Sequence, residues 1–253
     1  MLSQQRRQYL LQQLQIQGQI IAKQVAQDLQ VSEDTIRRDL RELAKEGVLQ
    51  RVHGGALPAS PALGSLQQRQ TISVDEKTAL AKTAIQLIQA KQIIFLDGGT
   101  TTQQMAKQLP TNLEITVITH SPALAVDLNE YPLVEVILLG GKVFKHSLVT
   151  LGALALETLQ RMHIDLYFMG VTGVHPNFGL TTGDAEEACM KRQISQQAAE
   201  TYVLVSPEKL GKVSAYQVLP LSEVSGLITA PTIDEELLKP YSALNLSLLR
   251  ATT

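Results

Sequence analysis

The chain has 253 residues, 44% of them hydrophobic and 18% charged, with a formal net charge of −2. That composition excludes disordered and collagen-like classes and a protein that is basic throughout. The lone Cys189 excludes an internal disulfide and fits a reducing, cytoplasmic setting. No run approaches the ~18 apolar residues of a membrane span, and the Gln-rich start does not read as a secretory signal.

In chain order, Leu10, Leu11 and Leu14 recur at helical spacing and Gly18 stops the segment; Ile21, Val25, Ala26 and Leu29 repeat the pattern. A short turn, Gln30-Val31-Ser32, ends in a good helix N-cap. Glu33 and Asp34 then suit the positive end of a helix dipole. Ile36, Leu40, Leu43 and Ala44 form one apolar stripe, Gly47 stops the helix, Val48 to His53 reads as a strand, and Gly54-Gly55 as a turn. Three short helices and a β-ribbon over residues 1–57 predict a winged helix-turn-helix. This segment carries 8 Lys/Arg against 6 Asp/Glu, a mild positive excess that permits DNA binding without demanding it.

Residues 58–73 hold two prolines and a glycine and read as a linker. From 74 to 253 the pattern alternates. A helix over Asp75 to Gln89 precedes a strand at Ile93–Leu96. Further strands are expected at 115–118, 134–139, 166–169, 202–205 and 226–229, with helices between most of them. Short apolar strands alternating with helices predict a larger, mostly parallel α/β domain.

The helix from Glu33 carries the sharpest functional signal. Its apolar stripe must face the small core, so Thr35, Arg37, Arg38 and Arg41 lie largely off it. With Ser32 they form a face that fits a major groove, and Arg51 and His53 would sit on the wing. An exposed Arg/Glu face laced with i,i+4 pairs, with Asp39, Glu42 and Glu46 on it, is the plainer reading of the arginines alone. The ordered set of helix, turn, capped helix, stop glycine and wing favours DNA. In the larger domain, Asp97-Gly98-Gly99-Thr100-Thr101-Thr102 follows a strand and opens a helix, an anion cradle without Walker A spacing. Loops at Thr119-His120-Ser121, Gly140-Gly141-Lys142 and Gly170-Val171-Thr172-Gly173 also follow strands, where ligands of open α/β sheets gather. His146, His163 and His175 sit at no metal-ligand spacing with Cys189. No metal, cofactor or catalytic residue is expected.

The run Val31-Ser32-Glu33-Asp34-Thr35-Ile36-Arg37-Arg38-Asp39-Leu40, followed by His53-Gly54-Gly55-Ala56, resembles the DNA-binding signature of the DeoR family of bacterial repressors. The resemblance continues through Arg69, Glu76-Lys77, Asp97 to Thr101, Leu139-Gly140-Gly141, Asp165 to Gly170, Gly179 to Asp184, Glu187-Ala188, Lys191-Arg192 and Glu208 to Gly211. It implies a sensor domain similar in fold to ribose-5-phosphate isomerases, glucosamine-6-phosphate deaminases and CoA transferases, with a phosphorylated sugar as ligand. By position, it implies a pocket of Asp97, Gly99, Thr100, Thr101, Ser121, Gly141, Asp165, Glu187 and Lys209. Two departures stand out. Ser206-Pro207-Glu208-Lys209 replaces the family's Asp-Ser-Ser-Lys, and Thr229-Ala230 replaces its Thr-Asp.

The expected protein is a repressor of carbohydrate metabolism genes with three partners: an operator in double-stranded DNA, a sugar-phosphate effector and further copies of itself in a dimer or tetramer. The rival reading is a sugar-phosphate isomerase or deaminase with a DNA-binding appendage, in which Glu187, Asp165 and Lys209 would supply base and cation.

Overall fold

The computed structural model describes residues 2–252. The first module holds α1 (Ser3–Gln17), β1 (Ile20–Ile21), α2 (Ala22–Asp28), α3 (Glu33–Lys45), β2 (Leu49–Val52) and β3 (Gly55–Pro58). Gly18 ends α1 at φ 69°, and Ser32 caps α3 by accepting the Thr35 N–H at 3.2 Å. The three strands pair antiparallel in the order β1-β3-β2. Gly55 was expected in a turn but opens β3; a Cβ there would lie 1.7 Å from the Ile20 carbonyl oxygen, so only glycine lets the two strands approach. Leu10, Leu14, Val25, Ile36, Leu40, Leu43 and Leu49 close the core.

Asp39 departs from the exposed helix face expected for it. It is buried on α3 and bound by Arg6 of α1, with Arg7 3.6 Å away. The pair fixes the angle between the first helix and the one that presents the arginines.

The stretch 58–73 is not a free tether. Pro58 completes β3, a 3-10 turn covers Pro61–Leu63, and α4 covers Leu66–Arg69. Ala62 and Leu66 are buried, the Leu66 N–H donates to the His146 carbonyl at 3.0 Å, and Ala59 bridges Val213. The prolines prevent a long helix, but the apolar residues between them still bury surface against the larger domain. This stretch is an ordered connector.

The larger domain holds α5 (Val74–Ile85), β4 (Ile93–Leu96), α6 (Thr100–Gln108), β5 (Ile115–Thr119), α7 (Pro122–Leu128), β6 (Val134–Leu138), the hairpin β7 (Lys142–Phe144) and β8 (Val149–Leu151), α8 (Ala153–Leu159) and β9 (Ile164–Met169). It continues with β10 (Gly173–His175), β11 (Gly179–Thr182), α9 (Ala185–Gln197), β12 (Ala198–Val205), β13 (Tyr216–Leu219), β14 (Gly226–Thr229), α10 (Glu235–Ser242) and β15 (Ser247–Arg250). Seven strands form a parallel sheet in the order β15-β14-β12-β9-β4-β5-β6; β10, β11 and β13 form a smaller antiparallel sheet. Successive strand residues feed opposite faces: Ile94, Leu96 and Phe168 pack in one core, Phe95, Tyr167 and Met169 in the other. The chain leaves β4 toward β5 and β6, then returns to β9 on the other side of β4. The carboxyl ends of β4 and β9 thus flank the topological switch point, where such sheets bind ligands.

Asp39→Ala is expected to leave Arg6 buried without its carboxylate, a loss of about 3 kcal/mol. Hydrogen exchange of the α3 amides should then lose roughly 100-fold in protection. Unchanged protection would show that the pair contributes nothing.

Candidate effector pocket and DNA-reading face

A cavity of about 220 Å³ opens at the switch point. Beneath it lies Asp97, which follows β4 directly and is fully buried. One carboxylate oxygen accepts from the Gly98 N–H at 2.8 Å and from His120 Nε2 at 2.8 Å. The other accepts from the Gly170 N–H at 2.8 Å, from the Tyr167 hydroxyl at 3.4 Å and from Lys191 Nζ. Burial alone would raise the Asp97 pKa, but Lys191 and His120 outweigh it and hold the carboxyl below its usual range. Burial, and then Asp97, push the Tyr167 phenol well above its ordinary value. Asp97 therefore lies beneath the cavity with its oxygens committed; it organises the floor instead of touching a ligand.

Above it, Gly98 to Thr102 line the cavity at the N-terminus of α6. Gly98 is required for space, since a Cβ would come within 2.1 Å of Val149 Cγ1. Thr102 turns back as a local brace: its Oγ1 accepts from the Gly99 N–H at 3.0 Å and donates toward the Asp97 carbonyl. The first-turn N–H groups of a helix have no intrahelical acceptors and carry partial positive charge, so this end of α6 suits an anion.

Four cations line the cavity: Arg69 from α4, Lys77 from α5, Lys191 from α9 and Lys209 from the 3-10 turn after β12. Lys191 is paired with Asp97 and lies 3.8 Å from Glu187. Lys77 donates to the carbonyls of Arg69 and Ile72. Lys209 donates to the Leu204 carbonyl at 3.3 Å. Burial pulls the Lys209 pKa down to about 8; Glu208 opposes the shift, while Lys77, Arg69 and Lys191 add to it. Burial also lowers the pKa of Arg69 and of Lys77.

Of the residues expected in the pocket, Gly99, Thr100, Thr101, Glu187 and Lys209 line the cavity. Four do not. Asp97 is beneath it. Ser121 caps α7, its Oγ accepting from the Leu124 N–H at 3.4 Å. Gly141 leads into β7 with φ 150°, and the far end of that hairpin brings Phe144, His146 and Ser147 to the cavity instead. Asp165 lies near the start of β9, at the opposite end of the sheet, and accepts the Ile93 N–H at 2.7 Å. Sequence reasoning missed the roles of Arg69, Lys77 and Lys191. They are 122 positions apart at the extremes, and the one sequence signal for them is that all three fall among the positions that carry the family resemblance.

The departure at Ser206 is compensated locally. Ser206 is buried and donates to one Glu208 oxygen at 2.6 Å, while Ser73 donates to the other at 2.9 Å. The carboxylate missing at 206 is thus supplied from 208. Ala230 is fully buried in the apolar core and does not line the cavity.

At the other end, α3 exposes Arg37, Arg38 and Arg41. Arg37 is held by Glu33 at 2.7 Å, and Arg41 Nε donates to the Arg37 carbonyl at 3.3 Å. Arg38 has no side-chain partner among the described residues. Ser32 and Thr35 join hydroxyls at 2.8 Å at the start of the helix, and Arg51 and His53 are exposed on the wing. The i,i+4 pairing weighed against DNA binding is real for Arg37 and leaves Arg38 available.

Both modules match family models. Residues 6–62 match the DeoR-like helix-turn-helix domain and residues 72–230 the DeoR C-terminal sensor domain. The chain belongs to the DeoR family. It is a DNA-binding transcriptional regulator with a sensor domain. The HTH-type transcriptional regulator GlpR of Haloferax volcanii is 36% identical over 208 residues, covering 81% of this chain and 81% of that protein. The HTH-type transcriptional repressor GlcR of Bacillus subtilis is 35% identical, covering 84% of this chain and 82% of the relative. Among solved structures, ribose 5-phosphate isomerase A from Methanocaldococcus jannaschii aligns with a TM-score of 0.40 and 20% identity, over 54% of each chain; that likeness supports no inference about activity. No helix among the described residues is long and apolar enough to cross a membrane.

Lys209 gives this DeoR-family pocket a pH signature. Its folded pKa is depressed to about 8, so it is charged below that value and neutral above it. Stabilisation by sulfate, a dianion throughout this range, is expected to shrink as pH rises from about 7 to about 9.5. Lys209→Arg should flatten the profile, because a guanidinium does not titrate there. Equal melting-temperature shifts across that range in the wild type would show that Lys209 does not contact the anion.

Proposed function

We propose that this regulator represses carbohydrate metabolism genes in the cytoplasm. The α3 face and wing bind an operator in double-stranded DNA, and a phosphorylated sugar in the switch-point cavity sets the DNA affinity. The single observation that carries the reading is a cavity of about 220 Å³ with four cations and a helix N-terminus on its walls, in a chain whose other module is a DNA-binding fold. A phosphate suits the N–H groups of α6 together with Lys209, while Glu187 and Thr100 suit sugar hydroxyls. The name of a third relative, a putative aga operon transcriptional repressor of Escherichia coli O157:H7 at 29% identity over 88% of this chain and 84% of that protein, agrees with the regulatory role.

The enzyme reading is weaker for a specific reason. Glu187, Asp165 and Lys209 do not converge, because Asp165 is at the opposite end of β9 from the cavity. The cavity keeps Asp184, Glu187 and Glu208 beside its cations and hydroxyls, but Glu208 is held by Ser206 and Ser73 and Asp184 caps α9, an arrangement suited to holding a phosphorylated ligand as a switch requires.

The direct test is operator binding with and without a panel of pentose and hexose phosphates. Linked equilibria of this kind typically change affinity by about 5–150-fold. Lys209→Ala or Thr100→Val is expected to abolish the response to the active compound at concentrations that saturate the wild type, with thermal melting confirming that the variants fold. A wild-type response from both variants would put the effector elsewhere. At the DNA end, Arg38→Ala should cost about 1–3 kcal/mol and relax sequence preference if Arg38 reads a base, whereas Arg51→Ala should weaken all sequences alike. Unchanged operator affinity in Arg38→Ala would overturn the recognition-helix assignment.

One winged helix makes few base contacts, so paired half-sites bound by a dimer or tetramer fit the role best. Light scattering at micromolar concentration is expected to give a mass at least twice that of the chain; monomer alone, with and without DNA, would count against assembly.

A further inference from the structure

One wall of the cavity is made by the connector itself, through Leu63, Arg69 and Ile72. The connector is moored to the sensor domain around that wall. The Leu66 N–H donates to the His146 carbonyl at 3.0 Å, Lys77 Nζ holds the carbonyls of Arg69 and Ile72, and Ser73 donates to Glu208 at 2.9 Å.

Among the four cavity cations, Arg69 stands apart. Lys191 has Asp97, Lys77 has two carbonyls, and Lys209 has the Leu204 carbonyl. Arg69 makes one long hydrogen bond from its guanidinium, 3.4 Å to Ser147 Oγ, and its Nε is buried without a partner. No carboxylate among the described residues lies within ion-pair distance of it. A part-buried guanidinium that has no ion pair and feels Glu187 and Asp97 only at a distance is poorly compensated, and the cost is relieved when an anion arrives. Its planar fork is suited to two oxygens of one phosphate. Its position on α4 places it eleven residues after the end of β3, the last strand of the winged module.

We propose that Arg69 binds the effector's anionic group through its guanidinium and, as the one cavity cation carried by the connector, passes effector binding to the DNA-binding module. The coupling half of the proposal rests on the sugar-phosphate reading above; the anion-contact half does not. An anion held between Arg69 and the start of α6 would clamp the connector to the switch point. The DNA-competent and DNA-incompetent arrangements would then differ in ligand affinity, as any allosteric response requires.

The test uses the full chain. Sulfate, inorganic phosphate and the sugar-phosphate panel are titrated by calorimetry against wild type, Arg69→Gln and Arg69→Lys. Arg69→Gln is expected to bind the anion roughly 10- to 100-fold more weakly. At saturating effector, the ratio of operator affinities with and without effector should fall toward one in Arg69→Gln and stay at its full value in the wild type. If Arg69→Gln does not fold, Arg69→Lys carries the test: it keeps the charge, loses the fork, and is expected to bind several-fold more weakly. Wild-type sulfate affinity in the Arg69 variants would overturn the anion contact. A wild-type operator ratio at saturation would overturn the coupling. Wild-type binding of sulfate but of no sugar phosphate would overturn the effector reading and the coupling built on it, with the sulfate comparison still deciding the Arg69 contact. Binding of none of these anions would overturn both.

Discussion

The sensor domain depends on one buried carboxylate. Asp97 gathers the Gly98 N–H, His120, Gly170, Tyr167 and Lys191, so one side chain ties together the ends of β4, β5 and β9 and the middle of α9. A carboxylate this deep is tolerable only because its oxygens are met by charged and dipolar donors. The arrangement has a functional consequence. With the chain ends fixed around Asp97, the glycines at 98 and 99 lead directly into the first turn of α6, and its N–H groups face a rigid cavity.

The cavity is also where the two modules come into covalent and physical register. The connector does not bypass the ligand site; it supplies part of the wall. Its ordered turns are short because Ser60 and Ser65 cap them and Pro58 and Pro61 interrupt any longer helix. Its buried Ala62 and Leu66 keep those turns against the sensor domain. A ligand at the switch point therefore lies against the chain that leads to the winged module, and the signal has a short route.

The winged module solves a similar problem on a smaller scale. With only about 57 residues it has a thin core, and the buried Arg6–Asp39 pair adds a directional constraint that apolar packing lacks. It orients α3 so that Arg37, Arg38 and Arg41 face outward while Ile36, Leu40 and Leu43 face the core. Both modules thus use an ion pair inside the protein to aim functional groups at its surface.

The sequence by itself determined the two-module plan, the capped α3 with its outward arginines, the run of parallel strands and the glycine-threonine cradle. These follow from local rules, namely apolar periods of 3.6 and 2, cap residues and stop glycines, each read within about a dozen neighbouring residues. Only the tertiary structure decided which distant residues share the cavity. Asp165 and Lys209 both flank strands, yet one lies at the amino end of the sheet and the other near the carboxyl end. Strand order and connection handedness set that difference, and neither is written in local spacing. The same holds for Asp39, whose helical position looked exposed until α1 packed against it. It holds as well for Arg69, Lys77 and Lys191, whose meeting depends on how α4, α5 and α9 stack around a single strand end.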